Sequence, residues 1–321
     1  MLVDMHAHVI PKDYPDLDER VAALVRGEAA FFNPSRRLDA MEASGVDAEV
    51  VSPLPPLLAY ELPAERALEL ARQANESIAQ LCAAAPDRLM GLGTVPLQDP
   101  DLAAEELSRI GGAGLCGIEI GSNVGGTSLG DERFLSFFQE VERLSLPVFV
   151  HALNPTLAGR LPGRAVPGFG FATEISVAAA AVVSEGLAEK CPGLRMAFSH
   201  GAGGFPLMLT REQYFWGGGW NEETRPEGGL LADRSRPAPS ESARRFWYDT
   251  LVFDRRALRY LIDMIGHTQL LIGTDFPAMP RERPAGATLR SMGLDASVLD
   301  DILWNNCFRF LGIEPPAAGH A

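Results

Sequence analysis

Two histidines, one residue apart, close the first apolar stretch of the sequence, "LVDMHAHVIP". In a β-strand the residues i and i+2 point to the same face, so His6 and His8 would present their imidazoles side by side. Polar residues also follow later apolar stretches, namely His151 in "VFVHA", His200 in "FSHGAGG" and Asp275 in "IGTDFP". Imidazoles and a carboxylate are ligands of zinc, and histidine also transfers protons near neutral pH. These residue types indicate a metal site with an acid/base group, if the fold brings them together.

Apolar stretches of strand type alternate along the chain with segments of helical periodicity. The predicted strands cover residues 2–8, 48–54, 89–97, 116–122, 146–152, 194–201, 246–253 and 270–277. The predicted helices cover residues 36–44, 63–84, 100–110, 131–144, 174–190 and 254–265. Strand–helix–strand repeats give parallel pairing through right-handed crossovers, and eight such strands in 321 residues match a (β/α)8 barrel in count and size. We therefore predict a single α/β domain, a TIM barrel over residues 1–321. An open doubly wound sheet is the alternative, but its Gly-rich dinucleotide turn is missing after the first strand.

The barrel would gather the polar residues at one end, because the carboxyl ends of all its strands face the side where active sites of this fold lie. Of the six histidines, four end predicted strands, whereas His267 and His320 fall in a helix end and the tail and receive no role. A lone strand-end histidine is more often a hydrogen-bonding residue, and Asp275 alone could cap a helix. The joint placement favours the metal site. Two long segments, 9–35 and the loop insertion near 215–245, are expected on the same face as lid or interface loops.

Composition and charge limit the classes of partner. The formal net charge is −14, which argues against nucleic acids and anionic membranes and leaves a small anionic substrate held by local arginines. All but two of the 28 basic residues are arginine, the exceptions being Lys12 and Lys190. No apolar run of membrane-spanning length and no signal segment stands out, and the four cysteines form no CxxC pair. We expect a soluble cytoplasmic protein with reduced thiols.

Four motifs, "DMHAHVIP", "VFVHALNP", "SHGAGGFP" and "LLIGTDFP", resemble the metal-dependent amidohydrolase superfamily, and more narrowly its branch around α-amino-β-carboxymuconate-ε-semialdehyde decarboxylase. The resemblance runs nearly end to end, since "RRLDAMEASGVDAEVVS" and "ILWNNCFRFLGI" also match it. It implies that His6, His8, His151 and Asp275 bind one divalent metal, commonly zinc with manganese as the alternative, and that His200 is the acid/base that activates metal-bound water. Members with two metals carry a modified lysine at the end of strand four. The stretch "CGIEIGSNVGG" contains no lysine, so one metal is expected.

The resemblance also implies two substrate-binding arginines. Arg37 matches an arginine that binds the substrate carboxylate, although the adjacent Arg36 could take its place. Arg211 matches an arginine that reaches the site of the neighbouring subunit, which implies a homodimer. A guanidinium binds a carboxylate through two parallel hydrogen bonds, which gives both assignments a physical reason. Two positions depart from the family, because Gly219 replaces a second arginine and Ala278 replaces an aromatic residue of the last motif. The substrate therefore need not be the named muconate semialdehyde.

Three functions remain open for these residues. The first is a metal-dependent non-oxidative decarboxylase, a carbon–carbon lyase acting on a small unsaturated or aromatic carboxylic acid. In this reaction His200 and Asp275 are the expected catalytic residues, and Asp275 could shuttle the proton as well as bind the metal. The second is a hydrolase or hydratase that uses the same site on a lactone, an amide or an activated C=C bond. The third is a non-catalytic metal-binding protein, and His200, which is not needed to hold the ion, speaks against it. We expect the decarboxylase.

Overall fold

Parallel strands make up the centre of the fold. The computed structural model describes residues 1–11, 14, 33–217 and 236–315. Its strands are β1 (Val3–Val9), β2 (Ala48–Pro53), β3 (Leu89–Gly93), β4 (Gly117–Gly121), β5 (Asn123–Val124), β6 (Thr127–Ser128), β7 (Val148–His151), β8 (Met196–Phe198), β9 (Trp247–Asp249) and β10 (Leu270–Leu271). Eight of them form one sheet in the order β1–β2–β3–β4–β7–β8–β9–β10, with parallel pairing throughout, and β5 and β6 form a small hairpin. The predicted (β/α)8 TIM barrel is confirmed, and most of the long segments 9–35 and 215–245 lies outside the described residues.

Helices connect the barrel strands. They are α1 (Pro34–Ser44), α2 (Ala64–Ala83), α3 (Pro100–Gly112), α4 (Leu135–Arg143), α5 (Phe171–Ser184), α6 (Leu187–Lys190), α7 (Phe205–Gly217), α8 (Pro239–Ala243), α9 (Arg255–Ile265), α10 (Ala287–Arg290), α11 (Ala296–Asp300) and α12 (Asn306–Leu311). Every predicted helical segment is helical in the structure. The predicted segment 174–190 is divided into α5 and α6, because Gly186 between them has a left-handed φ of 69°.

Capping residues fix where several of these helices begin. The side chains of Asn33, Asp99 and Asp254 accept hydrogen bonds from backbone N–H groups in the first turns of α1, α3 and α9. Pro34 and Pro100 follow directly, at the first helical position, where the missing N–H group costs nothing. Local side-chain chemistry therefore sets the boundaries that the sequence pattern located to within a few residues.

Four predicted strands end three or more residues earlier than expected. The strands predicted to 97 and 253 end at Gly93 and Asp249, and the other two concern residues of the predicted site. The strand predicted to 201 ends at Phe198, and the strand predicted to 277 ends at Leu271. His200 and Asp275 lie just beyond, with left-handed φ angles of 54° and 56° that no strand residue adopts. The prediction that these two residues lie within strands was wrong. Their backbones instead turn at the mouth of the barrel.

Apolar side chains fill the barrel below the polar end. Val3, Met5, Val50, Leu92 and Phe149 belong to one buried cluster, which also includes apolar residues of α12. A larger buried cluster joins other strand residues to the surrounding helices. The strand ends are therefore held by apolar packing on the barrel interior and on its outer surface, which gives the polar residues fixed positions.

The seam between the first and last strands is held by single backbone hydrogen bonds. Among the described residues β1 and β10 share no ladder, and only an isolated parallel bridge joins Ala7 to Phe276. The N–H group of Asp275 donates to the carbonyl of His6 at 2.7 Å, and the N–H group of His8 donates to the carbonyl of Phe276 at 2.6 Å. The N–H group of Met5 also donates to the carbonyl of Ile272 at 2.9 Å, so the bonds that close the barrel run along β1 up to the predicted metal ligands.

One helical stretch, Gly163–Ser184, is long and apolar enough to cross a membrane by length and composition alone. The sequence prediction found no run of this kind. Within the stretch, Ile175, Ala179 and Val182 of α5 are fully buried in the core of the barrel. An apolar helix that packs one face on a sheet passes the same test of length and composition, so one such stretch is weak evidence of a membrane span.

Candidate active site

The structure brings the five predicted polar residues together at the mouth of the barrel. His6 and His8 lie on β1, His151 ends β7, and His200 and Asp275 follow β8 and β10. One ligand atom from each of His6, His151, His200 and Asp275 lies within 4.8 Å of the others. The Nε2 atom of His8 lies 3.1 Å from Nε2 of His6 and 3.1 Å from Oδ1 of Asp275. The five side chains therefore form one cluster.

Hydrogen bonds fix the tautomer of three of these imidazoles. Each places its Nδ1 atom against an oxygen that can only accept, so Nδ1 carries the hydrogen and Nε2 carries a lone pair. The contacts are His6 to Oδ2 of Asp249 at 2.6 Å, His8 to the carbonyl of Pro53 at 3.1 Å, and His151 to the carbonyl of Ala152 at 2.9 Å.

The three lone pairs converge on a single carboxylate oxygen. The Nε2 atoms of His6, His8 and His151 lie 3.5, 3.1 and 3.8 Å from Oδ1 of Asp275. Among the described residues, Nε2 of His151 and Oδ1 of Asp275 are buried without a hydrogen-bond partner. Unshared electron pairs held this close repel one another unless a proton or a metal cation lies among them. Three imidazole nitrogens and one carboxylate oxygen therefore fit one divalent cation.

His200 contacts the other oxygen of the same carboxylate. Its Nε2 atom lies 3.5 Å from Oδ2 of Asp275, and its side chain is 16% exposed, against 9% or less for the other four. Burial lowers the pKa of His200, but the contact with Asp275 and the charges of Asp249 and Glu119 outweigh burial and raise it. His200 is thus the member of the cluster best placed to exchange a proton with a bound molecule.

Asp249, which was not predicted from the sequence, links His6 to the turn that carries His200. It ends β9 and is fully buried. Its Oδ2 atom binds His6, while its Oδ1 atom accepts hydrogen bonds from the N–H groups of Gly201 at 2.9 Å and Leu251 at 3.0 Å. Burial raises the pKa of Asp249, but the hydrogen bond from His6 outweighs burial and lowers it. The signal was present in "FWYDTL", where a charged residue ends an apolar strand as His151 does.

His6 itself is held in its neutral form. Burial lowers its pKa from 6.5 to about 4, even though the hydrogen bond to Asp249 acts in the opposite direction. A neutral imidazole is the form that binds a metal. Asp275 is held ionised, because contacts with His151 and His200 outweigh burial and place its pKa well below the usual range. Both protonation states suit a cation site.

Glu119 is a second buried acid that the sequence analysis did not use. It lies on β4, two positions before the residue paired with His151, and is fully buried. Its Oε2 atom lies 3.7 Å from Nδ1 of His8. Burial raises its pKa to about 7. This buried carboxyl is therefore divided between its neutral and ionised forms near pH 7, and a cation bound in the cluster would favour the ionised form.

The sequence matches the amidohydrolase family (Amidohydro_2) over residues 3–313. This chain belongs to the amidohydrolase family. It is 31% identical to the 2-amino-3-carboxymuconate-6-semialdehyde decarboxylase of Dictyostelium discoideum, over 98% of this chain and 92% of that protein. The predicted resemblance to the branch around this decarboxylase is confirmed.

Two solved structures are similar to this amidohydrolase over nearly the whole chain. The 5-carboxyvanillate decarboxylase of Sphingomonas paucimobilis has a TM-score of 0.79 and 26% identity, over 98% of this chain and 99% of that one. A dihydroxybenzoic acid decarboxylase of Polaromonas sp. JS666 was solved with bound manganese and the inhibitor 2-nitroresorcinol. It has a TM-score of 0.81, over 97% of this chain and 96% of that one. At 22% identity, the second likeness shows the fold alone.

The two predicted substrate arginines of this amidohydrolase lie in very different surroundings. Arg37, on α1, is fully buried, with Nε 2.5 Å from Oε2 of Glu49 and Nη1 donating to the carbonyl of His8 at 3.0 Å. A substrate carboxylate at Arg37 would share the guanidinium with Glu49. Arg211 is exposed on α7, with its guanidinium 4.9 Å from the ring centre of Phe215. No described contact joins Arg211 to the histidine cluster, so both assignments stay predictions.

The two departures from the family pattern are only partly placed. Ala278 is exposed, three residues after Asp275. Gly219 lies outside the described residues.

Proposed function

We propose that this amidohydrolase is a metal-dependent non-oxidative decarboxylase of a small unsaturated or aromatic carboxylic acid. The observation that carries the proposal is the convergence of three Nε2 lone pairs on Oδ1 of Asp275, with His200 on Oδ2. This arrangement separates a cation-binding side from a proton-exchanging side within one cluster. The named relatives, which are decarboxylases, support the same reaction class.

Each side chain has a distinct task in this proposal. His6, His8, His151 and Asp275 would hold the cation, which when bound acts as a Lewis acid toward a substrate oxygen. Loss of CO2 breaks a carbon–carbon bond and leaves its electron pair on the substrate carbon, which then takes up one proton. His200 would deliver that proton from Nε2, because it is the most exposed member of the cluster and its pKa is raised.

We infer zinc as the metal, with manganese as the alternative. Three neutral imidazoles and one carboxylate are a donor set that zinc accepts readily. The manganese bound to the Polaromonas decarboxylase supports the alternative. Measuring metal content after purification without added metal distinguishes the two.

The substrate class follows from what the named relatives have in common. They act on an aminocarboxymuconate semialdehyde and on carboxyvanillate, which are both unsaturated acids that carry oxygen substituents. We infer a substrate of this chemistry, small and anionic, with neither nucleic acid nor membrane as a partner. The net charge of −14 supports the exclusion of polyanions.

The proposal predicts CO2 release that depends on a divalent metal. Purified protein, freed of metal by a chelator and reloaded with zinc or manganese, would be incubated with carboxylated muconate semialdehydes, hydroxybenzoates and dihydroxybenzoates. We expect CO2 from at least one of them, abolished by the chelator and restored by metal. Turnover of lactones or amides without CO2 would instead assign the site to a hydrolase.

We also infer a cytoplasmic homodimer. The four cysteines are free, which supports a reducing compartment. On α7 the residues Leu207, Met208 and Tyr214 are 67%, 48% and 49% exposed, and Val177 on the adjoining α5 is 46% exposed. Exposed apolar side chains on neighbouring helices are typical of a subunit interface. Arg211 lies on α7 among them, as its predicted role in a neighbouring site requires.

Replacing Leu207 with glutamate is expected to convert the dimer to a monomer, because the new charge would have to be buried in the interface. Light scattering coupled to size-exclusion chromatography measures the mass. Phe253→Glu is the matched control, since Phe253 is equally exposed, at 67%, but follows β9. A wild-type protein that is already monomeric would contradict the inference.

A further inference from the structure

The predicted metal ligands lie on both sides of the seam that closes the barrel. His6 and His8 belong to β1, whereas Asp275 follows β10. Backbone hydrogen bonds across the seam place the ligands next to one another as far as the carbonyl of Phe276, one residue past Asp275. The distances from the imidazoles to Oδ1 of Asp275 therefore depend on these backbone bonds and on the side chains that hold the segment of Asp275 against β1.

The backbone of Asp275 requires support of this kind. Its φ of 56° lies in the left-handed region, which is uncommon for residues other than glycine, although aspartate adopts it more readily than most. The side chain of Asp275 cannot supply that support, since it is directed into the histidine cluster. The constraint must come from neighbouring residues.

Arg281 contacts the residues on either side of Asp275. Its Nε atom donates to Oγ1 of Thr274 at 3.2 Å, and its guanidinium lies 3.9 Å from the ring centre of Phe276. The side chain is only 3% exposed, although it comes from a loop. Arg281 therefore contacts the residues immediately before and after Asp275.

The same guanidinium binds carboxylates on the first two strands. Its Nη2 atom donates to Oδ2 of Asp4 at 3.1 Å on β1 and also bonds Oε1 of Glu49 on β2. Asp4 in turn accepts hydrogen bonds from the N–H groups of Thr274 at 3.1 Å and His6 at 3.2 Å. Glu49 is paired through its other oxygen with Arg37. The ion pairs thus form a chain across the seam, in the order Arg37, Glu49, Arg281 and Asp4.

We propose that Arg281 is a positioning residue of the metal site, which clamps the segment of Asp275 onto β1 and β2 and so sets the distance from Asp275 to His6 and His8. The inference rests on the proposed metal site. Lysine cannot replace arginine in this role, because a single ammonium group cannot bond two carboxylates and a hydroxyl while stacking on a ring. Loss of these contacts should therefore weaken metal binding, and any loss of turnover should follow from the loss of metal.

The test is the zinc affinity of full-length Arg281→Lys, measured by competition with a chelating dye. We expect the dissociation constant for Zn²⁺ to rise about 10- to 100-fold, the range seen when groups that orient metal ligands are changed. Arg195→Lys is the matched control, because Arg195 donates to the carbonyls of Ser145 and Leu311 and contacts none of the predicted ligands. Its zinc affinity should equal that of the wild type. A lowered melting temperature of Arg281→Lys with unchanged zinc affinity would overturn the proposal.

A second pair of variants covers the case in which Arg281→Lys does not fold. Thr274→Val keeps the shape of the side chain and removes the hydroxyl that links Arg281 to Asp4, so zinc affinity should fall in the same direction. Thr94→Val is its control, because the buried hydroxyl of Thr94 has no hydrogen-bond partner among the described residues. Equal affinities in the two valine variants would overturn the proposal.

The outcome is separable from that of the proposed function. A wild-type protein that binds zinc but releases no CO2 would exclude the proposed decarboxylase function. The effect of Arg281 on zinc affinity could still be measured in that case. An active decarboxylase whose zinc affinity is insensitive to Arg281 removes the positioning role and leaves the function intact. A wild type that binds no zinc or manganese overturns both.

Discussion

Replacing His200 with asparagine is expected to lower kcat for CO2 release by about 10²- to 10⁴-fold while the metal stays bound, since a positioned acid/base group contributes that much. The reason is the division of the cluster, in which three imidazoles face Oδ1 of Asp275 and His200 faces Oδ2. Steady-state CO2 release and metal content per chain, measured on the same preparation, give the two quantities.

The control for this variant is His267→Asn. His267 is 37% exposed and pairs with Asp301, away from the cluster, so its replacement should leave kcat unchanged. Loss of metal together with activity in His200→Asn would contradict the assignment. His200 would then be a ligand, which the mutual distances within 4.8 Å also permit.

Replacing Asp249 with asparagine is expected to lower metal affinity about 10- to 100-fold. The N–H groups of Gly201 and Leu251 require an acceptor, so the amide oxygen of the variant would stay with them and its NH2 group would face His6. Two donors then oppose each other at Nδ1 of His6, and the imidazole avoids this by moving its hydrogen to Nε2. The protonated Nε2 cannot bind a cation.

Zinc titration in competition with a chelator measures this effect, and the melting temperature of the metal-free protein shows whether the fold persists. Asp254→Asn is the matched control, because Asp254 caps α9 and asparagine is an equally good cap. Unchanged zinc affinity in Asp249→Asn would show that His6 is oriented by other contacts.

The fold could be predicted from the sequence because its signals are local. Each barrel strand is a short apolar stretch and each main helix shows its own periodicity, so their alternation specifies parallel pairing. The ends of β8 and β10 could not be predicted in the same way. His200 and Asp275 adopt left-handed φ angles, which are uncommon outside glycine and which the apolar pattern of a strand does not signal.

The predicted site residues also differ in how far the sequence could place them. Residues at strand ends share an environment by topology, so the four histidines and Asp275 could be grouped without any knowledge of contacts. The same criterion would have found Asp249, had it been applied to acids on every strand. The partners of Arg37 and Arg281 could not be found, because the pairing of a long side chain with Glu49 depends on its path through the packed interior.

The seam between β1 and β10 makes the order of biosynthesis matter to this protein. His6 and His8 are synthesised well before Asp275, the carboxylate that completes their cluster, because the other seven barrel strands lie between them in the sequence. A nascent or truncated chain that lacks Asp275 has an incomplete ligand set and would hold the ion weakly. The free energy of metal binding is therefore available only to the finished barrel, where it adds to the stability of closure. The ion would thus stabilise only a chain that has folded through Asp275, in addition to taking part in the reaction.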